Sequence, residues 1–238
     1  MSERLGLLDL GHRGYAETLD LQRALCRRRV TGELDRDLLL LVEHEPVITL
    51  GRGTRATSLP LPPAELERRG VRVVEVERGG DVTYHGPGQL VGYPILHLRE
   101  HREDLHWYLR QLEAVLITAL GRVGIAAGRS PGLTGVWTRG RKIASIGIHV
   151  KQWVTFHGFA LNVSTDLRGF DLIIPCGIRD VVMTSVAAEV GGAGGAALWE
   201  ATRSAVVGAF VEVFGYAGTE EAREEAASPG EAAPLGPG

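Results

Sequence analysis

The order in which strand-like and helix-like apolar patterns follow one another constrains the fold most strongly. From residue 105 to 123, and again from 198 to 214, apolar side chains recur at helical spacing, which predicts two long amphipathic helices. Between them, segments 135–138, 143–150 and 153–163 have the pattern of successive strands. Because strands cluster as hairpins instead of alternating strictly with helices, we predict an α/β (α+β) fold with a mixed β-sheet flanked by helices.

The N-terminal half adds further elements to this fold. An amphipathic helix is predicted over 15–30, with Cys26 facing the core, and the apolar run 37–52 predicts two strands separated by a turn. A short helix over 61–70 and two strands over 71–77 and 89–98 follow, with a glycine-rich connection between the two strands.

The length and composition are consistent with one folded unit followed by a tail. A chain of 238 residues can bury a sizeable core, and no repeat of 20 to 50 residues is visible. After Gly215 the sequence turns to Ala, Glu, Gly and Pro, which bury too little apolar surface to offset the entropy of ordering them. We therefore expect a single catalytic domain over 1–216 and a flexible tail over 217–238.

Charge and cysteine content exclude several classes of protein. A net charge of −3 gives no general reason to bind nucleic acid or an anionic membrane. No apolar stretch is long enough for a membrane span and the first residues do not resemble a signal peptide, so we expect a cytosolic protein. The two cysteines, Cys26 and Cys176, are expected to be free thiols there.

The segment FDLIIPCGIRD, residues 170–180, sets Cys176 between a proline and a glycine after an apolar run. Such a setting suits a displayed, nucleophilic thiol, although a small buried hydrophobe is the commoner fate of a free cysteine. A nucleophilic cysteine needs help from a histidine or a cation, because its ordinary pKa near 8.5 leaves little thiolate at pH 7.

Lys142 is a candidate for that cation. Lysine is scarce in this chain, where only Lys142 and Lys151 occur and arginine supplies the other basic side chains. An ammonium about 4 Å from a thiolate offers roughly 4 kcal/mol of attraction in a partly screened site. Lowering a thiol pKa by about 2 units needs only about 2.7 kcal/mol. The alternative is a lysine that merely solvates the turn of a hairpin.

The connection RGGDVTYHGPGQLVGYP, residues 78–94, is rich in glycine beside Tyr84 and His85. Exposed backbone next to aromatic walls could hold a long flexible ligand, and small residues in 145–147 and 157–160 could form the floor of the same groove. A multi-turn loop and close packing of strands are the alternatives.

Two further patterns suggest other chemistry. HLREH, residues 97–101, matches the H-x-x-E-H zinc pattern, which requires a helix, but His97 ends a strand-like run. GRGTR, residues 51–55, could hold a phosphate, yet no Walker lysine accompanies it. The basic segments 26–30 and 99–102 could contact an acidic partner or form a solvated face.

Taken in order, the motifs HEPVITLGR, RGGDVTYHGPGQLVGYPI, GRKIASIGI, HGFALNV and PCGI closely resemble the octanoyltransferases of lipoate biosynthesis. This is the lipoyl(octanoyl) transferase, or lipoate-protein ligase B, family. The resemblance runs from about His44 to Ser185 and implies the catalytic fold of biotin and lipoate protein ligases. It also implies transfer of an octanoyl group from octanoyl-acyl carrier protein to a lysine of a lipoyl domain, through a cysteine thioester. Acceptors would be the lipoyl domains of 2-oxo acid dehydrogenase complexes and the glycine cleavage H protein.

Through the PCGI and GRKIASIG motifs, the resemblance assigns the acyl-carrying thiol to Cys176 and its activating lysine to Lys142. Family substrate-binding positions fall on Arg78, Gly79, Gly80, Asp81, Val82, Thr83, Tyr84, His85, Ser145, Ile146, Gly147, Gly158, Phe159 and Ala160. Thioester-to-amide transfer is downhill, so no metal, ATP or other cofactor is expected. An ATP-dependent lipoate ligase, a non-catalytic binding module for acyl carriers or lipoyl domains, and a zinc hydrolase remain as alternatives.

Overall fold

Eleven strands and five helices are described by a computed structural model that covers residues 3–174, 181–192 and 194–222. The strands are β1 Leu5–His12, β2 Leu38–Glu43, β3 Val47–Leu50, β4 Arg72–Glu75, β5 Val82–His85, β6 Gln89–Ile95, β7 Gly128–Ser130, β8 Leu133–Thr138, β9 Arg141–Lys151, β10 Val154–Asn162 and β11 Thr219–Glu221. The helices are α1 Tyr15–Thr31, α2 Pro63–Arg68, α3 Leu105–Arg122, α4 Val186–Val190 and α5 Ala196–Phe214.

A mixed eight-stranded sheet in the order β11-β1-β2-β6-β10-β9-β8-β7 forms the centre of the fold. β1 runs parallel to both β2 and β11, whereas the remaining neighbours are antiparallel. Strands β8, β9 and β10 follow one another as the predicted hairpins. The predicted mixed sheet flanked by helices is therefore confirmed.

The two faces of this sheet carry separate apolar cores. Helices α3 and α5 pack on one face through side chains such as Leu112, Leu116 and Phe210. Helix α1 packs on the opposite face, where Cys26 joins Leu25 and is 2% exposed. Burial raises the pKa of the Cys26 thiol to about 11, so it stays protonated at neutral pH. The prediction that Cys26 faces the core is confirmed.

A second sheet, in the order β4-β3-β5, was not expected from the sequence. Its strand β5 lies within residues 78–94, which were predicted to be only a glycine-rich connection. Val82 to His85 pair antiparallel with β3 instead, and their backbone groups gain strand partners. The connection is therefore a loop of bends over residues 76–81, a short strand, and a turn over residues 86–88, and the loop bonds to the larger sheet through Gly79 N and Ile148 O.

The C-terminal boundary also differs from the prediction. Residues 219–221, assigned to the flexible tail 217–238, pair in parallel with β1 at the sheet edge. Leu5 N donates to Gly218 O and Ala222 N donates to Leu7 O, so backbone hydrogen bonds compensate for the few apolar side chains. Residues 223–238 lie outside the described residues. In the part of the chain that is described, no helix has both the length and the apolar character needed to cross a membrane.

Candidate active site

A cavity of about 420 Å³ opens where the small sheet meets strands β6, β9 and β10 of the large one. Lys142 lines it together with all but one of the predicted substrate-binding residues. These are Arg78, Gly79, Gly80, Asp81, Val82, Thr83, His85, Ser145, Ile146, Gly147, Gly158, Phe159 and Ala160. Residues predicted from three separate motifs are thus brought to one concave surface.

Tyr84 is the predicted substrate-binding residue that does not line this cavity. Successive residues of a strand point to opposite faces, so Tyr84 lies on the face of β5 opposite Thr83 and His85. Its ring packs edge-on against Phe170, with centroids 5.5 Å apart, in the apolar cluster of the small sheet. Tyr84 therefore packs against Phe170 and does not line the cavity.

Residues 78–80 form a loop that packs closely against strand β9 of the large sheet. Gly79 N donates to Ile148 O over 2.8 Å, and Gly53 N donates to Gly80 O over 2.9 Å. A Cβ placed at Gly147 would stand 3.0 Å from Gly79 O, which is tighter than ordinary van der Waals contact. The absence of a side chain at Gly147 therefore lets the loop reach β9.

Two charged side chains hold this loop as well as lining the cavity. Arg78 is buried, and its Nη2 donates to Thr49 O over 2.8 Å. Asp81 accepts a hydrogen bond from Ser58 Oγ at 2.7 Å and another from the Val82 backbone N–H at 2.7 Å. Both residues fix the backbone of the segment between β4 and β5.

Three buried histidines lie at or near the cavity: His85 and His157 line it, and His44 contacts Tyr93, which lines it. His85 Nδ1 lies 2.8 Å from Gln89 Oε1, and His44 Nε2 lies 2.8 Å from Tyr93 Oη. His157 has a left-handed backbone, with φ of 56°, and its ring nitrogens have no hydrogen-bond partner within the described residues. Burial lowers the pKa to about 4 for His44 and to about 3 for His85 and His157, so all three are neutral at pH 7.

Lys142 is 5% exposed near the start of β9. The hairpin register pairs it with Trp137, and Nζ lies 5.6 Å from the centre of that ring, within the range of a cation–π contact. Its backbone N–H donates to Val182 O over 2.8 Å, and its carbonyl accepts from Thr184 N over 2.9 Å. Lys142 is thus a buried basic residue at the cavity wall.

Cys176 lies outside the described residues. The described chain stops at Ile174, whose N–H donates to Ser58 O over 2.9 Å, and resumes at Val181, which lines the cavity. Met183, two residues further on, also lines the cavity and forms a parallel bridge with Lys142. The predicted roles of Cys176 and Lys142 therefore remain proposals.

Several cavity residues were not identified from the sequence. Tyr15, Tyr93, Leu109, Trp137 and Met183 come from elements that are far apart in the chain. Trp137 could have been found, because the predicted hairpin places it opposite Lys142. The others carry no local signal, since only the tertiary fold brings them to the cavity.

The zinc interpretation of HLREH meets competing contacts. Residues 98–100 form a 3-10 turn and not an α-helix, and Glu100 pairs with Arg29. His101 Nε2 lies 2.7 Å from Asp37 Oδ2. Among the residues described, no group of three potential ligands is placed to hold a metal ion. His97, Glu100 and His101 therefore do not share one face of an α-helix, as the H-x-x-E-H motif requires.

One arginine in each of the two basic segments is paired within the fold. Arg29 is buried against Asp37, with Nε 3.1 Å from Oδ1. Arg99 pairs with Glu103 at 2.8 Å. Arg29 is therefore unavailable to an acidic partner.

Comparisons with known proteins agree with the motifs. Residues 14–214 match the family model of the lipoyl protein ligase A/B catalytic domain. The octanoyltransferase of Nostoc sp. is 51% identical over 194 residues, which cover 82% of this chain and 85% of the relative. The octanoyltransferase of Solibacter usitatus is 54% identical over 182 residues, covering 76% and 82%.

Solved structures show the fold at lower identity. A lipoate-protein ligase A bound with ATP superimposes with a TM-score of 0.69 at 17% identity, covering 95% of this chain and 93% of the other. A bi-partite lipoate protein ligase from Thermoplasma acidophilum gives 0.70 at 17% identity, covering 95% and 89%. The predicted lipoate ligase fold is confirmed. The chain belongs to the lipoyl protein ligase A/B catalytic domain family, and the prediction that it groups with the octanoyltransferases is confirmed by its curated relatives.

Proposed function

We propose that this enzyme moves an octanoyl group from octanoyl-acyl carrier protein to a lysine of a lipoyl domain, through a thioester on Cys176. The acceptors would be the lipoyl domains of 2-oxo acid dehydrogenase complexes and the glycine cleavage H protein. The observation that carries the proposal is the position of Lys142. It is buried in the wall of the cavity and bonded to the chain that resumes five residues after Cys176.

The cavity suits an acyl chain. Ile146, Phe159, Val91 and Leu109 give it apolar walls, and its volume of about 420 Å³ is that of a small-molecule pocket. The clamped backbone of residues 78–80 adds polar groups along one side. We propose that the octanoyl chain lies against the apolar walls with its carbonyl carbon toward Lys142.

The first half-reaction forms the acyl-enzyme. The Lys142 ammonium stabilises the Cys176 thiolate, which attacks the carrier's thioester carbon. A carbon–sulfur bond to Cys176 forms, and the bond to the carrier sulfur breaks. The departing carrier thiolate takes a proton from Lys142 and leaves as a thiol, so Lys142 becomes neutral.

The second half-reaction restores the starting state. The acceptor lysine, after losing a proton to solvent, attacks the Cys176 thioester as a neutral amine. The amide forms, the Cys176 thiolate leaves, and the proton released by the amine returns to neutral Lys142. His85 and His157 line the same cavity, but their pKa values of about 3 make them weak bases at neutral pH. This supports Lys142 as the proton acceptor.

Mass spectrometry tests the proposal. After incubation with octanoyl-acyl carrier protein, one octanoyl group should be found on Cys176. The matched control is Cys26→Ala, which removes the buried, protonated thiol and should leave the adduct and the transfer unchanged. Cys176→Ala should lose both. Full transfer activity in Cys176→Ala would overturn the thioester route.

The shared fold with an ATP-bound lipoate ligase makes ATP-dependent ligation the second candidate. A ligase would use free octanoate and require ATP, whereas the proposed transferase needs only the carrier thioester. A binding module without catalysis would hold the carrier but show no turnover. Assays with and without ATP, on both donors, separate the three.

A further inference from the structure

The chain returns to the large sheet beside Lys142 through residues 181–185, which we call the return segment. Lys142 N donates to Val182 O over 2.8 Å, and Thr184 N donates to Lys142 O over 2.9 Å. These two bonds form a parallel bridge between Lys142 and Met183, which is isolated within the described part of the chain. Because one bridge constrains a strand weakly, the place of the return segment depends on its other contacts.

Asn162 provides such a contact from the end of β10. Its side chain is 1% exposed, and Nδ2 donates to Thr184 O over 3.0 Å. Oδ1 of Asn162 accepts a hydrogen bond from Gln89 Nε2 over 2.9 Å. Asn162 therefore ties the return segment to two central strands, β10 and β6, and Thr184 bonds to Asn162 and to Lys142 at the same time.

The orientation of both amide side chains follows from their partners. A backbone carbonyl only accepts, so the group of Asn162 facing Thr184 O is the N–H donor and its oxygen faces Gln89. Gln89 Nε2 also donates to Tyr84 O, which leaves Gln89 Oε1 to accept from His85 Nδ1. Each polar group in this buried series of hydrogen bonds acts either as a donor or as an acceptor. An apolar residue at 162 would therefore leave Thr184 O and Gln89 Nε2 each without one hydrogen-bond partner.

We propose that Asn162 is a positioning residue that sets Lys142 and the return segment in register. It lies outside the cavity lining, so it acts through Lys142 and not on the substrate. The inference rests on the proposed function, in which Lys142 activates the Cys176 thiol. In the sequence, Asn162 belongs to the motif HGFALNV and Gln89 to the glycine-rich motif, and neither was assigned a role.

The test is the pH dependence of thiol alkylation by iodoacetamide, measured with the Cys26→Ala background so that only Cys176 can react. Asn162→Ala should raise the alkylation midpoint by about one pH unit or more and lower kcat about tenfold or more, because the ammonium is displaced from the thiol. The KM for octanoyl-acyl carrier protein should change less than about threefold, since the cavity walls remain.

The matched control is Thr202→Ala, which removes a buried hydroxyl that donates to Leu198 O within α5. It should leave the alkylation midpoint and kcat unchanged. An Asn162→Ala enzyme that keeps both wild-type values would overturn the proposal. If Asn162→Ala does not fold, Gln89→Met decides: a midpoint shift in the same direction supports the proposal, and an unchanged midpoint overturns it.

Lys142→Met separates this proposal from the proposed function. If Lys142→Met leaves the midpoint at its wild-type value, lysine activation of the thiol fails, and the role of Asn162 fails with it. If Lys142→Met raises the midpoint and Asn162→Ala does not, lysine activation stands and the positioning role alone is contradicted.

Discussion

The side chain of Lys142 lies across Gly135, so that a Cβ placed at Gly135 would stand 2.9 Å from Lys142 Cε. The same Cβ would be 2.6 Å from Ala144 O, and Gly135 has φ of 121°, a backbone conformation that L side chains rarely adopt. The absence of a side chain at Gly135 in β8 therefore leaves room for the side chain of Lys142.

Gly135→Ala is expected to displace Lys142 and to lower the octanoyl transfer rate about 100-fold, as a misplacement of about 1 Å at a catalytic group does. The matched control is Gly140→Ala. Gly140 also has a positive φ, of 75°, but no atom lies near its missing Cβ. Steady-state kinetics and thermal unfolding of both variants separate backbone strain from displacement of Lys142. Equal rate losses in the two variants would contradict the seating role of Gly135.

Substitution of Lys142 tests its electrostatic role. Lys142→Met should return the thiol pKa toward about 8.5 and move the rising limb of the pH–rate profile upward. Lys142→Arg should restore the charge but not the transfer rate, because a guanidinium does not lose its proton at neutral pH. A Lys142→Arg enzyme with wild-type kcat would show that Lys142 does not transfer protons.

The approach of residues 78–80 to β9 gives a prediction about binding. Gly147→Ala would place a Cβ 3.0 Å from Gly79 O and 3.0 Å from Arg78 Cδ. We expect the loop to shift and the KM for octanoyl-acyl carrier protein to rise about tenfold, with a smaller change in kcat. Gly121→Ala in α3 is the control, because no atom beyond its chain neighbours and the nearby backbone of its own helix lies within 4 Å of the added Cβ. It should keep its KM and gain a little stability, because alanine favours helix over glycine.

Stability should fall as the solution becomes acidic. His44 and His85 have folded-state pKa values of about 4 and about 3, below the ordinary 6.5. Between pH 6.5 and the folded-state pKa of each histidine, the unfolded chain therefore binds more protons than the native state. The contribution of these histidines to the free energy of unfolding is fully present above about pH 6.5 and decreases as the pH falls toward 4. Each histidine contributes up to about 1.4 kcal/mol per pH unit in that window.

Denaturant unfolding at pH 7, 6 and 5 measures this slope. His44→Asn should reduce the slope by the share of one histidine, because it removes one buried neutral imidazole. A slope that is identical in His44→Asn and the wild type would contradict neutral burial of His44.

The helices and strands that were predicted correctly are those whose own residues show a periodic apolar pattern. Helices α3 and α5 and the hairpins of β8 to β10 have long periodic patterns. Strands β1, β5, β7 and β11 were missed, and the last three have only three or four residues each, so their pairing depends mainly on the partner that they find. The same holds within the site. The motifs indicated which residues line the cavity, but Tyr84 packs behind β5, and Arg78 and Asp81 hold the loop.

The residues that position Lys142 could also not be predicted from the sequence near it. Gly135 and Met183 lie beside Lys142 through strand pairing, and Asn162 bonds to Thr184, whose N–H donates to Lys142 O; these contacts depend on the register of distant segments. The scarcity of lysine drew attention to Lys142 itself, but nothing near it in sequence indicated these supports.

Transfer from a pre-formed octanoyl-enzyme tests the central claim most directly. The enzyme is loaded by octanoyl-acyl carrier protein, separated from the carrier and mixed with a lipoyl domain without ATP, and the octanoyl group is followed by rapid quenching and mass spectrometry. We predict that it leaves Cys176 and appears on the acceptor lysine at a rate no lower than kcat. An octanoyl-enzyme that stays loaded, or hydrolyses, on that timescale while steady-state transfer proceeds would contradict the account.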